Sequence, residues 1–127
     1  MQLLVAIWMV LSSPGQPEVH KEYYDSGNLK TSYVVEGTNI TVFRYYPSGT
    51  LHERGTFIGS EKHGSWTSFS EMGTVEGEAE YQYGQPSGTW RFWYTNGQLR
   101  SLTEYNDGKA VEHQIWNREG EELSYAD

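Results

Sequence analysis

The chain has 127 residues, with 17 Asp and Glu against 9 Lys and Arg, a formal charge of −8. That balance argues against a nucleic-acid binder, which needs a basic footprint, and against attraction to an anionic membrane surface. Cys is absent, which excludes disulfides, thiolate metal sites and a Cys nucleophile; rings at 15% and 14 Gly, with few Leu and Ile, describe β-structure built on aromatics and turns.

Leu3 to Leu11 is an unbroken apolar run of nine residues. It is far short of the ~20 needed to span a bilayer as a helix. It fits the apolar region of a secretory signal, with small residues at Ser13-Pro14-Gly15, although no Lys or Arg precedes it. Residues 1–19 are therefore expected to be a signal-like segment and linker, and residues 20–127 the folded domain. Export to the periplasm or the exterior is the expectation. A buried first element in a cytoplasmic chain is the alternative. Asn39-Ile40-Thr41 matches a glycosylation sequon, a triplet common by chance.

From His20 onward the chain repeats. Gly27, Gly49, Gly73, Gly97 and Gly120 recur at spacings of 22, 24, 24 and 23. Four residues before them stand Tyr23, Tyr45, Phe69, Trp93 and Trp116, and two after them Leu29, Leu51, Val75, Leu99 and, breaking the column, Glu122. Eight after the first four stand Val35, Phe57, Tyr81 and Tyr105, and a further glycine follows at Gly37, Gly59, Gly84 and Gly108. Each copy reads as strand, tight turn, strand. Val75 to Tyr83 alternates, with Val75, Gly77, Ala79, Tyr81 and Tyr83 on one face and Glu76, Glu78, Glu80 and Gln82 on the other. By the same rule Trp90, Phe92 and Tyr94 share a face, expected to be the packed one. Asn96-Gly97 reads as a two-position hairpin turn with positive φ at both residues. Gly55 and Gly77 fall inside strands, where a missing side chain leaves room for a neighbour's ring. A hairpin this short cannot bury its apolar face alone, so the copies must stack edge to edge. The expectation is an all-β, elongated, single-layer antiparallel meander of eight to ten strands, with no sustained helical period.

These motifs resemble the MORN repeat variant family. Gly64-Ser65-Trp66 and Gly88-Thr89-Trp90 look like the opening of such a repeat. Trp93-Tyr94-Thr95-Asn96-Gly97-Gln98-Leu99 and Tyr23-Tyr24-Asp25-Ser26-Gly27-Asn28-Leu29 look like its turn, and Tyr105-Asn106-Asp107-Gly108-Lys109 like its exit. The resemblance runs from about Lys21 to Leu123. Copies one and two depart from it with His20 and Val42 in the Trp column, and copy five with His113. It implies a twisted one-layer β-meander serving as a scaffold or as a protein- or lipid-contacting module. Many bacterial members of the variant type are labelled antitoxin components.

No catalytic constellation is legible. His20, His52, His63 and His113 lack a metal-ligand spacing, and His52-Glu53 is not followed by a second His in register. Glu76, Glu78 and Glu80, with Glu71 nearby, form an acidic stripe that could serve acid–base chemistry but reads as a solvated strand face. No Gly-rich phosphate loop opens a helix and no serine sits in a nucleophile elbow. Cofactors and metals are not expected. Adjacent ring pairs point to opposite faces, so one ring of each is the less buried, and Tyr24, Tyr46, Trp93, Tyr94 and Trp116 are the candidate binding aromatics. A non-enzymatic scaffold for a protein partner, of antitoxin type by the resemblance, is the first expectation. An exported carbohydrate- or cell-wall-binding module using the ring ladder is the second.

Overall fold

A computed structural model describes residues 15–124. Leu3 to Leu11 lies outside them. Ten strands follow in order: β1 (Glu18–Tyr23), β2 (Leu29–Glu36), β3 (Asn39–Tyr45), β4 (Leu51–Ile58), β5 (Glu61–Phe69), β6 (Val75–Gln82), β7 (Gln85–Trp93), β8 (Leu99–Asn106), β9 (Lys109–Trp116) and β10 (Glu122–Leu123). They form one open antiparallel sheet in sequence order. Each copy is one hairpin, from β1–β2 to β9–β10. The two turn-flanking columns are cross-strand pairs: Tyr23 faces Leu29, Tyr45 faces Leu51, Phe69 faces Val75, Trp93 faces Leu99 and Trp116 faces Glu122. A ring against a branched aliphatic is a favourable pair on a pleated surface.

The turns differ between the two edges of the sheet. Within a copy, the Gly97 N–H donates to the Tyr94 carbonyl at 3.0 Å and the Tyr94 N–H to the Gln98 carbonyl at 2.9 Å. That is a three-residue loop, a type I turn closed by a glycine bulge. Only Gly97 has positive φ, at 87°, so Asn96-Gly97 is not the two-position turn its sequence suggested. The other four copies make the same pair of bonds. Between copies, two-residue loops join the hairpins. Tyr83-Gly84 and Asp107-Gly108 have positive φ at both positions, as a type I′ turn requires.

The three-residue loops offset the strands that follow them. In copy three Ser68 pairs with Gly77 and Phe69 with Val75, which leaves Glu76 as an unpaired bulge residue. Strict alternation in β6 therefore holds only from Gly77. Val75 goes with Phe69, Tyr83 sits exposed in the next turn, and Glu76 leaves the acidic stripe to line a cleft with Ser68 and Phe92.

Gly-x-Trp is a bulge as well. Arg54 pairs with Thr67 and Thr56 with His63, so Gly64, Ser65 and Trp66 oppose Gly55 alone. Glu78 pairs with Arg91 and Glu80 with Ser87, so Gly88, Thr89 and Trp90 oppose Ala79 alone. The slack lets each indole fold over the neighbouring strand. Trp66 Nε1 donates to the Thr56 carbonyl at 3.1 Å, and Trp90 Nε1 to the Glu80 carbonyl at 2.8 Å. A Cβ on Gly55 would stand inside the Trp66 ring, and one on Gly77 would lie 2.7 Å from Phe92. Both glycines thus leave room for a ring of the next copy. Among the described residues the buried hydrophobic side chains are Val42, 1% exposed, and Trp66, 4% exposed. Trp90 shares its face with Phe92, their rings 6.5 Å apart, but is only half-buried. Gly55 lets Trp66 settle onto the backbone, whereas Ala79 holds Trp90 off by a methyl.

Trp66→Ala is expected to cost about 3–5 kcal/mol, since the surrounding strands cannot collapse into the vacated space. Trp90→Ala should cost less, and Glu78→Ala, exposed opposite Arg91, under about 0.5 kcal/mol. Urea melts of the three variants check the order. A Trp66→Ala protein melting with wild type would refute this account of the core.

Candidate functional site

One face of the sheet carries a continuous ladder of rings from β4 to β8. Phe57 meets Trp66 edge-on at 5.0 Å, and Trp66 meets Tyr81 at 6.5 Å. Tyr81 meets Trp90 at 5.1 Å, and Trp90 meets Tyr105 at 4.7 Å. The column eight after each turn glycine and the Gly-x-Trp column thus interleave. Lys62 Nζ lies 4.4 Å over the Trp66 ring and 5.1 Å over that of Tyr81, a cation–π contact to both. A small cleft of about 130 Å³ beside these rings is also lined by Glu53 and Ser68. Glu53 Oε1 accepts from Arg44 Nη1 at 2.6 Å. Burial pushes the Tyr81 hydroxyl above its ordinary 10.0, and Glu53 and Tyr105 add to the shift.

The interleaving was missed in the sequence, though its signal was there. Both columns fall on one face once the period of two is counted through the strands. Of the residues singled out, Trp93 and Trp116 are paired to β8 and β10. Tyr24, Tyr46 and Tyr94 are half-buried, and each hydroxyl reaches into the next copy. Tyr24 donates to the Tyr45 carbonyl at 2.6 Å, Tyr46 to that of Phe69 at 2.7 Å, and Tyr94 to that of Trp116 at 2.9 Å. These three rings are hooks between copies. Asn28 and Asn96 add bonds between successive turns, to the Pro47 and Arg118 carbonyls at 2.8 and 2.9 Å. Burial raises the pKa of Tyr46 above 10.0, and Glu76 and Glu71 raise it further.

The histidines are scattered along the array. His52 stacks on Tyr46 at 4.2 Å and His20 lies 3.6 Å from Glu18. His63 Nδ1 accepts the Tyr83 N–H at 3.2 Å, and His113 Nδ1 lies 2.7 Å from Thr103 Oγ1. Among the described residues no three His, Asp or Glu gather as a metal site. Glu78 and Glu80 face Arg91 and Ser87, and neither lines any of the clefts described here. The largest of those clefts, about 530 Å³, lies at the two-residue-turn edge, where Gln82, Gln85, Asn106 and Asp107 surround Tyr105 and Pro86.

A single open sheet of stacked hairpins, each copy hooked to the next through recurring columns, defines a β-hairpin repeat protein. Residues 39–58 and 86–107 match the MORN repeat variant, so the chain carries MORN-variant repeats. The matched stretches coincide with the hairpins of copies two and four. Two solved structures share the fold at a TM-score of 0.52: "Crystal Structure of TarM", 16% identical, and a mutant TarM of S. aureus in complex with fondaparinux, alpha-GlcNAc-glycerol and UDP, 15% identical. The similarity covers 87% and 85% of this chain but 21% of each of those chains, and at this identity it speaks for the fold alone. No curated protein matches the chain.

Tyr46, one of the hooks, and Tyr81, in the ring ladder, carry a testable pH dependence. Tyrosines of the unfolded chain ionise near pH ~10, and folded Tyr46 and Tyr81 ionise above it. The native state therefore holds the extra protons in that window, and stability is lost as pH rises through it. Urea midpoints are expected to be level below about pH 9 and to fall above about pH 10. Tyr46→Phe should cost about 0.5–1.5 kcal/mol at neutral pH through loss of its bond to Phe69, and should flatten the alkaline fall. An unchanged alkaline slope would remove Tyr46 from this account.

Proposed function

We propose that the chain is a non-enzymatic repeat scaffold that binds a protein partner through the face bearing the ring ladder. The observation that carries this reading is the run Phe57, Trp66, Tyr81, Trp90 and Tyr105, contiguous on one face, with no second layer of described residues across it. Phe57, Tyr81, Trp90 and Tyr105 are half-buried around the buried Trp66, and such rings on a sheet offer large contact area at small entropic cost, the usual make-up of interface anchors. An antitoxin-type role, implied by the family resemblance, is the narrower form of this proposal.

A carbohydrate-binding reading is favoured by the 530 Å³ cleft, where amides and a carboxylate flank Tyr105. That reading goes with export of the chain, for which Leu3 to Leu11 is the proposed signal. The experiment is capture from native extract with the tagged chain, followed by cross-linking to map the contacted face. Tyr81→Ser and Tyr105→Ser, checked for folding by circular dichroism, are expected to lose the captured protein. Arg54→Ala and Arg91→Ala, on the opposite face, are expected to keep it. The reverse pattern would reject the face assignment. Retardation in polysaccharide gels with no protein captured would favour the carbohydrate reading.

A further inference from the structure

Of the four copies followed by another described copy, copy three alone departs at the three-residue-turn edge; copy five, the last described, has Asn117 there. In copies one, two and four the residue after the first ring is Tyr24, Tyr46 or Tyr94, and its hydroxyl reaches the next copy. Copy three has Ser70, 7% exposed. Its hydroxyl turns inward, 2.7 Å from Thr74 Oγ1, and accepts the Thr74 N–H at 3.2 Å. Ser68, two residues before it, lines a cleft of about 330 Å³ with Glu76, Phe92, Trp93, Tyr94, Arg100 and Arg118 among others. Two of these are the groups a tyrosine of copy three would meet. Glu76 stands three residues after its turn glycine, the place that His52 holds against the Tyr46 ring in copy two. Trp93 stands in the column of Tyr45, Phe69 and Trp116, whose carbonyls receive the hooks.

We propose that this cleft is a docking site for a tyrosine side chain of a protein partner. The incoming ring takes the position that Tyr46 and Tyr94 hold in their own copies, and its hydroxyl donates to the Trp93 carbonyl. The chain's own three hooks are the template for the occupant. Two arginines border the cleft, Arg100 5.8 Å over the Phe92 ring and Arg118 5.5 Å over that of Tyr94. Neither is in an ion pair among the described residues. On a chain of net charge −8, two guanidinium groups beside one carboxylate select a tyrosine next to an acidic residue. The turn of the same copy carries Met72, 91% exposed, where the other copies have Ser26, Ser48, Asn96 and Glu119. An exposed methionine is an adaptable apolar contact. The inference rests on the protein-partner reading above and names what the partner presents.

The probe is the acetylated, amidated dipeptide Asp-Tyr, with Asp-Phe as its counterpart, titrated into the full chain and followed by backbone amide NMR. Asp-Tyr is expected to shift the Trp93, Tyr94 and Thr95 amides, and Asp-Phe to bind roughly two- to tenfold more weakly for want of the hydroxyl bond. Ser70→Tyr is expected to fill the cleft from within, raise the urea midpoint and abolish the shifts, while Ser70→Ala leaves them. Equal binding of the two dipeptides, no binding at all, or a folded Ser70→Tyr protein that still binds Asp-Tyr would each overturn the proposal. Should Ser70→Tyr not fold, the dipeptide pair on the wild-type chain decides alone. A captured partner retained in full by folded Ser70→Tyr would end the cleft proposal and leave the scaffold reading standing. Dipeptide binding blocked by Ser70→Tyr, with no partner captured, would end the scaffold reading and leave the cleft.

Discussion

A sheet with one layer has no opposing surface to bury its side chains, and every other feature of this chain answers that constraint. In a two-layer domain the rings would pack against a second sheet or a helix. Here they can only lie along the sheet, over the neighbouring strand. Cohesion therefore runs sideways, from copy to copy, and each joint needs its own fastening. The Gly-x-Trp bulge supplies it in the middle of the strands, where the indole covers Gly55 or Ala79 and satisfies its N–H on a carbonyl of the strand it crosses. The tyrosine hook supplies it at the three-residue-turn edge. Leaving an indole N–H or a phenol unpaired in a half-buried site would cost more than the bond itself adds, so both groups fix where their rings lie.

The joints are not equivalent. Copies two and three are joined by a Trp bulge and a hook, through Trp66 and Tyr46. Copies one and two have a hook but an uninterrupted register, with Val42 in the Trp column. Copies three and four have the bulge at Trp90 and no hook. Copies four and five have the hook from Tyr94, and His113 bonded to Thr103 where a Trp would stand. A linear array opens first where a neighbour interface is thinnest. Along the three-residue-turn edge that place is the junction after Ser70.

Much of this was legible in the sequence because a repeat multiplies weak signals. A single glycine or tyrosine says little, but five glycines at nearly constant spacing fix the phase of every other column. The pairs of Tyr45 with Leu51 and of Trp93 with Leu99 follow from that phase, since residues equidistant from a turn face each other. What stayed hidden is what an insertion does to parity. A bulge residue looks like any other position in the chain, so Glu76 was counted with Glu78 and Glu80, although the pairing of Ser68 with Gly77 puts it on the other face. The turn at Asn96-Gly97 was misjudged for a related reason. The dipeptide suits two different loops, and the bond from the Tyr94 N–H to the Gln98 carbonyl is what selects the longer one. Trp66 and Trp90 look alike in sequence. Their difference in burial lies on the facing strand, in the single methyl that separates Ala79 from Gly55.

Repetition also makes departures readable. In a domain without internal symmetry, Ser70 would be one more buried serine with a local bond to Thr74. In this array it stands in the column of Tyr24, Tyr46 and Tyr94, and a cleft lined by Ser68, Glu76 and Trp93 includes contacts a tyrosine there would make. Stability alone favours a ring at that place, because the same fold holds one at Tyr24, Tyr46 and Tyr94. The cleft of that joint is bordered by Arg100 of copy four and Arg118 of copy five, neither in an ion pair among the described residues, and the copy-three turn carries an exposed methionine, Met72. Sites that trade stability for function violate a local rule that the rest of the molecule obeys. Copy three is where the array breaks its own rule, and under the proposed docking the missing ring marks the shape of the occupant.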